Sequence, residues 1–199
     1  MSHPDALIWD DRYSNNIRWQ NLRSPRNLVI SYQHLIPRSG LVLDAACGST
    51  PTGLHLARQG WQVIALDVSN AALRIAQSEV QKEALPISFA LMDLTNPWLP
   101  SNRFDVVLNF YYLSRPLLST YRKSIRRGGL LFFETFLRDD SFSSEVDGNL
   151  HHYLEPHELK TSFADWNIIH YEETQRISRS TERRNRSRRI AQLVARKPD

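Results

Sequence analysis

The apolar positions along the chain fall into two alternating rhythms. Residues 25–36 place Leu28, Val29, Tyr32, Leu35 and Ile36 at helical spacing, with Pro25 suited to a helix start and Pro37 and Gly40 to its end. Residues 41–45 then form a short apolar run of the kind buried on both faces of a parallel sheet. The alternation continues. Strands are predicted at 62–67, 87–92, 104–109 and 130–135, and helices at 52–59, 70–84 and 116–125; Gly60 closes the first of these helices and Ser69 caps the second. Strand and helix in turn predict a doubly wound parallel α/β sheet with right-handed crossovers and helices on both faces. After residue 139 the rhythm breaks. Residues 137–154 read as a polar lid, 156–163 as a short helix, and 166–172 and 190–195 as two final strands. No internal repeat or second domain is visible, so residues 1–199 are expected to be one domain.

Composition changes this picture little. The chain has 199 residues, 41% of them hydrophobic and 23% charged, ordinary values for a globular domain. No apolar run reaches membrane-spanning length, the first residues lack a secretory core, and Cys47 is the sole cysteine; the expectation is a cytoplasmic protein without membrane contact. Charge is more informative. Residues 176–199 carry eight arginines, one lysine and two acids, a net +7, which leaves the rest of the chain at −3 against a total of +4. The basic stretch 176–189 is expected to be a hairpin loop. It is either merely solvated or a patch for an anion or RNA centred on Arg183, Arg184 and Arg186, and the absence of stacking aromatics within it argues against sequence-specific RNA reading.

Candidate chemistry gathers at the strand ends, where doubly wound folds bind ligands. The first strand runs into Asp44-Ala45-Ala46-Cys47-Gly48-Ser49-Thr50-Pro51-Thr52-Gly53. A glycine turn there admits close backbone approach, and the following helix N-terminus suits an anionic group; a purely structural turn remains the alternative. Asp67 ends the second strand, where a carboxylate can accept from ribose hydroxyls or cap a helix. Asp93 ends the third, for an adenine amino group or as a turn residue. A G-x-G-x-x-G fingerprint is missing, which disfavours a nicotinamide enzyme, and no G-x-x-x-x-G-K-[ST] occurs.

The segments LDAACGSTPTGLHLA, VIALDVS and MDL together resemble the nucleotide site of class I S-adenosylmethionine-dependent methyltransferases. The resemblance runs on through FDVVLNFYYLSRPLL and RRGGLLFFETF, and covers residues 5–197. The N-terminal WDDRY is similar to the opening of small bacterial tellurite-resistance and thiopurine methyltransferases, where residues equivalent to 1–36 would cover the cofactor. The resemblance implies a Rossmann-like, seven-stranded sheet of order 3-2-1-4-5-7-6 with strand 7 antiparallel. It implies S-adenosyl-L-methionine as methyl donor, with S-adenosyl-L-homocysteine as product, held by Asp44, Ala46, Gly48, Asp67, Asp93 and Leu94; Tyr13, Cys47, Thr50, Val68, Asn109 and Phe110 are further cofactor-binding candidates.

Thr50 departs from the family, which usually has glycine there. A β-branched residue avoids positive φ and Pro51 favours an extended backbone before it, so Thr50 is expected in the αR or β region. For the chemistry, Phe110 and Tyr111 at the end of strand four could face a sulfonium or simply pack, and Tyr112 and Arg115 could reach an acceptor, though Arg115 could equally begin a helix. Glu134 either pairs with a structural partner or faces the acceptor. Tyr111, Tyr112 and Glu134 are the catalytic candidates. His151 and His152 in the lid are weaker ones, and no metal site is expected because the histidine spacing is unconvincing. The expected reaction is methyl transfer to a small molecule, by a monomer or homodimer. RNA methylation through the arginine stretch and non-catalytic cofactor binding are the alternatives.

Overall fold

The computed structural model describes residues 4–20, 24–138, 152–177 and 187–199. Seven strands form one sheet: β1 Leu41–Ala45, β2 Gln62–Asp67, β3 Ile87–Leu91, β4 Phe104–Phe110, β5 Ile125–Phe136, β6 Asn167–Ile177 and β7 Ser187–Arg196. Their order is β3-β2-β1-β4-β5-β7-β6. β7 runs antiparallel to both β5 and β6, and the remaining pairs are parallel. Order and direction match the expected Rossmann-like architecture.

The helices are α1 Pro4–Asn15, α2 Ile17–Gln20, α3 Asn27–Tyr32, α4 Pro51–Arg58, α5 Asn70–Glu83, α6 Arg115–Ser124 and α7 Glu158–Ser162. Strand side chains alternate between two cores, as a period of two requires. Leu43, Val107, Leu131 and Phe133 face α6 and α7 through Leu117, Tyr121, Leu159 and Phe163. Val42, Val106, Leu108, Leu130 and Phe132 face α3 and α4 through Leu28, Val29, Leu56 and Ala57. Each fully buried side chain of this size stabilises the fold by roughly 1.5–3 kcal/mol, so the two layers fix the sheet and with it the strand ends.

Four expectations need correction. The helix expected over 25–36 is α3 followed by a 3-10 turn, Gln33–Leu35, with Arg26 in an extended conformation before it. The helix expected over 116–125 runs Arg115–Ser124, and Ile125 already belongs to β5, which carries on through the glycine pair. β6 and β7 run into the stretch expected as a basic loop, because cross-strand pairing continues to Arg176↔Arg188 and Ile177↔Ser187. Thr50 is left-handed, at φ 47 and ψ 47, rather than αR or β. Its hydroxyl donates to Asp44 Oδ2 at 2.7 Å, and its carbonyl accepts from Leu54 N at 2.9 Å, so tertiary and capping bonds outweigh a local preference of about 1–2 kcal/mol. Pro51 tolerates this geometry as the first residue of α4, where its missing N–H costs nothing.

Candidate active site

The strand order reverses between β1 and β4, which opens a crevice at their carboxyl ends. The turn after β1 is built from backbone that most side chains avoid. Ala46 (φ 51), Gly48 (φ 56) and Thr50 are all left-handed, and Tyr111 (φ 61) is left-handed just after β4. Strain of about 1–3 kcal/mol at each non-glycine position is the kind that binding sites retain.

Asp67 holds the turn. Its Oδ2 accepts from Gly48 N at 2.7 Å and its Oδ1 from Ser69 N at 2.8 Å. Burial raises its pKa, the bonds from Ser69, Gly48 and Val68 oppose this, and Asp10 adds to the rise. Ser69 caps α5 as expected, with its Oγ accepting from Ala72 N at 3.1 Å. Asp44 is 4% exposed. Burial pushes its carboxyl up to about 7, against the opposing pull of the Thr50 hydroxyl and the Arg26 guanidinium. Cys47 is half-buried in the same turn; burial, then Asp44 and Asp67, push its thiol well up, which removes it as a nucleophile.

The N-terminal helices close over this turn. The Tyr13 hydroxyl lies against Gly48 so tightly that a Cβ there would collide with it. Burial, then Asp67 and Cys47, hold Tyr13 protonated. Trp9 and Tyr13 both stack on Trp19, at 5.3 and 5.7 Å. Asp10 Oδ1 accepts from Ser69 Oγ at 2.7 Å and from Ala71 N at 2.9 Å, which fastens α1 to the start of α5. A cleft of about 480 Å³ lies on the outer side of this contact, lined by Asp10, Tyr13, Gln20 and Arg74 among others. Its walls come from α1, α2 and α5, and not from the ends of β4 and β5.

At the end of β4, Asn109 is 1% exposed. It donates to Tyr112 O at 2.7 Å and accepts from Tyr121 Oη at 2.9 Å, so it shapes the turn that presents Tyr111 and Tyr112. Burial, with Asp93 next, raises the Tyr112 phenol to about 12. Phe110 and Tyr111 carry the Arg26 guanidinium over their rings, at 5.6 and 4.7 Å. Glu134, on β5, accepts from Gln192 Nε2 at 2.6 Å. Val68 is half-buried beside Asp67 and Leu94 is buried beyond β3. Asp93 Oδ1 takes Thr95 N and Thr95 Oγ1, at 2.8 and 2.7 Å, in a closed turn.

Other candidates fall outside this group. Arg115 sits at the start of α6 and bridges to Glu158 at 2.7 and 2.8 Å. His151, Arg183, Arg184 and Arg186 lie outside the described residues, as does most of the 137–154 segment. The base of that segment is clasped by Leu154 N to Phe136 O at 2.9 Å and Arg138 N to Leu154 O at 2.8 Å. Among the described residues no group of His, Cys, Asp and Glu has the arrangement of a metal site, and no helix is long and apolar enough to cross a membrane.

Sequence reasoning missed Arg26, Asp10 and Ser49. Arg26 reaches Asp44 and the β4 aromatics only through the fold, and no local pattern signals it. Asp10 stood within the WDDRY run but had no role there. Ser49 Oγ is buried without a hydrogen-bond partner among the described residues.

An S-adenosylmethionine molecule carries a sulfonium, an α-ammonium, a carboxylate and ribose hydroxyls. Two buried carboxylates of raised pKa, one guanidinium, an orphaned hydroxyl and a glycine turn fit that set of groups.

Comparison with known proteins agrees. Residues 42–129 match a family described as "Methyltransferase domain". Over 116 residues the chain is 28% identical to the 2-heptyl-1-hydroxyquinolin-4(1H)-one methyltransferase of Mycobacteroides abscessus, covering 55% of this chain and 51% of that protein. Over 108 residues it is 29% identical to the ubiquinone biosynthesis O-methyltransferase of Rhizobium etli, covering 51% and 44%. The chain thus spans about half the length of the curated relatives it matches. The structure of TehB from Haemophilus influenzae superposes with a TM-score of 0.74 at 20% identity, over 95% of this chain and 67% of that one, which establishes the shared fold. The matched residues run from β1 to the glycine pair in β5 and so include Asp44, Gly48 and Asp67.

Proposed function

We propose that the protein transfers a methyl group from S-adenosylmethionine to a small-molecule acceptor by in-line displacement. One observation carries the reading: Asp44 and Asp67 stand at the ends of the adjacent parallel strands β1 and β2, around the Gly48 turn, with Arg26 beside Asp44. Relatives whose names specify a hydroxyquinolinone and a ubiquinone precursor pathway favour a small acceptor over a macromolecular one.

When bound, the cofactor supplies an electrophilic methyl on a positively charged sulfur. The chain's own residues bind and orient. Asp44 would take the α-ammonium, and Arg26 the methionine carboxylate. Asp67 would add ribose hydroxyls to the backbone amides it already accepts, since a carboxylate has lone pairs for about four donors. Asp93 and Leu94 would border the adenine, and Ala46, Cys47, Gly48, Thr50, Val68, Asn109 and Phe110 complete the lining. Tyr13 would cover the turn and exclude water. Tyr112, with its phenol at about 12, remains protonated near neutrality and acts as a hydrogen-bond donor to the acceptor rather than as a base. Tyr111 would offer its ring edge-on or face-on to the acceptor, and Glu134 would receive the proton of an acceptor that is not already an anion. Orientation supplies most of the acceleration in such a displacement.

A second reading is RNA methylation. Its support is the position of the arginine-bearing ends of β6 and β7, Arg176 and Arg188, at the same carboxyl edge of the sheet as the strand ends above. Production of S-adenosylhomocysteine from an RNA-free metabolite extract supports the first reading. Turnover that needs RNA and collapses with added salt supports the second.

A further inference from the structure

We infer that Asp10 is a positioning residue: its two bonds to the start of α5 latch α1 over the cofactor turn, and the cofactor and its product exchange only when that latch opens. This rests on the methyltransferase reading and names what controls traffic at the same site.

α1 lies across the crevice yet is weakly attached to it. At one end the Tyr13 hydroxyl presses on Gly48. At the other, Asp5 stands close enough to Tyr112 that its charge adds, after burial and Asp93, to the rise of that phenol. Asp44, Ser49, Thr50 and Asp67 are all buried beneath this span, so a cofactor seated on them has α1 across its exit. Of the twelve residues of α1 only Tyr13 is buried, and Leu7 and Ile8 are exposed. A helix of this length has little stability of its own. It packs mainly on α5 and α2 rather than on the sheet. An element with so few buried contacts is where local opening is expected.

Asp10 ties this helix down. Its Oδ1 accepts from Ser69 Oγ at 2.7 Å and from Ala71 N at 2.9 Å. Both bonds end on a carboxylate and are stronger than neutral ones. The bonding continues inward: Ser69 N donates to Asp67 Oδ1 and Gly48 N to Asp67 Oδ2, so latch and turn share one chain of hydrogen bonds. Beside the latch, the joint between α1, α2 and α5 is open, because the cleft of about 480 Å³ lies there. Breaking the two bonds and lifting the Tyr13 ring therefore frees the helix without disturbing the sheet. Trp9 and Trp19 move with it, since they stack on each other and on Tyr13 within α1 and α2. Asp10 bonds to the start of α5, not to a group proposed to hold the cofactor. A latch closed with the site empty and with it full changes the rate of exchange and leaves the affinity nearly alone.

Stopped-flow binding and displacement of S-adenosylhomocysteine, followed by the tryptophan fluorescence to which Trp9 and Trp19 contribute, tests this. Asp10→Ala should raise the association and dissociation rates together, each by at least about tenfold, while Kd stays within about threefold of wild type. Loss of a direct ligand contact would instead act mostly on dissociation. Asp10→Asn keeps an oxygen that can accept both bonds, so its rates should fall between those of Asp10→Ala and wild type. In the unliganded wild type, hydrogen exchange should show the α1 amides opening at least about tenfold more often than those of β1 and β4, and Asp10→Ala should speed exchange in α1 without speeding it in the sheet. Unchanged rates in Asp10→Ala, a rise in dissociation alone, an Asp10→Asn variant as fast as Asp10→Ala, or α1 amides as protected as those of β1 would overturn the inference and leave the methyltransferase reading standing. Failure of S-adenosylhomocysteine to bind the wild type would strike that underlying reading, while hydrogen exchange on the unliganded proteins would still decide whether Asp10 latches α1.

Discussion

The Thr50 hydroxyl donates to Asp44 Oδ2 at 2.7 Å from a backbone held left-handed at φ 47. A residue that should avoid this conformation thus supplies the hydrogen bond that keeps the buried acid of the cofactor turn in place. The same hydroxyl fills the space above Gly53, where a Cβ would collide with it. Thr50 therefore acts as a strut between β1 and α4.

Replacing the strut separates its two effects. Thr50→Val keeps the strain and removes the donor, and should cost about 1–3 kcal/mol of stability. Thr50→Gly also removes the donor but relieves the strain, so its stability should stay within about 1 kcal/mol of wild type. Both should weaken S-adenosylhomocysteine binding near neutral pH. Chemical denaturation with matched titrations distinguishes them; equal destabilisation of the two variants would show that the left-handed backbone stores no strain.

Asp44 predicts a pH dependence of definite sign. Its folded pKa, about 7, lies above the unfolded value of 3.8, so the folded state holds a proton that the unfolded state has lost. Its contribution to the stability of the unliganded domain is full below the unfolded value and falls as pH rises from about 4 to about 7. The α-ammonium of the cofactor favours the ionised form, so binding should release a proton. S-adenosylhomocysteine affinity should rise about tenfold between pH 6 and pH 8, and Asp44→Asn should flatten that rise. Calorimetry in buffers of different ionisation enthalpy counts the proton directly, and a pH-independent affinity in wild type would exclude Asp44 as the ammonium partner.

Asp67 has a structural duty as well as a proposed ligand duty. Asp67→Asn leaves one carbonyl oxygen to serve the Gly48 and Ser69 amides, so the variant should lose about 1–3 kcal/mol of stability. Its affinity for S-adenosylhomocysteine should fall by more than about tenfold, since the charge that favours ribose donors is gone. A variant with weakened stability and unaltered affinity would assign Asp67 to the turn alone.

The Asn109–Tyr121 bond offers a test away from any charge. Tyr121→Phe leaves the buried Asn109 Oδ1 without its donor, at a cost of about 1–3 kcal/mol. Acceptor turnover should fall more than cofactor affinity does, because Asn109 holds the Tyr112 carbonyl. Comparison of KM with kcat for Tyr121→Phe checks it, and a purely proportional loss of cofactor binding would contradict it.

β1, β4 and most of β5 were legible because they are buried on both faces and their residues are apolar without alternation, as in Val42-Leu43 and Val106-Val107-Leu108, whereas β3 is a partly exposed edge strand. β6 and β7 were underestimated for the opposite reason. Glu173, Gln175, Arg188 and Arg189 look like loop residues, yet backbone pairing between the two strands carries them. The positions of Asp44 near the end of β1, Gly48 in the turn after it and Asp67 at the end of β2 were legible because spacing along the chain places them there. Arg26 and Asp10 could not, since each acts on residues far along the chain. The handedness of Thr50 was misjudged because the bond that decides it comes from a side chain six positions earlier.

The central claim is that the turn after β1 and the acid after β2 bind S-adenosylmethionine. Isothermal titration of S-adenosylhomocysteine and, separately, NAD into the wild-type protein and into Asp67→Ala tests it most directly. The account predicts saturable binding of S-adenosylhomocysteine at a single site per chain in wild type, no measurable heat with NAD, and loss of the S-adenosylhomocysteine signal in a folded Asp67→Ala variant. Binding of NAD with no response to S-adenosylhomocysteine would contradict it.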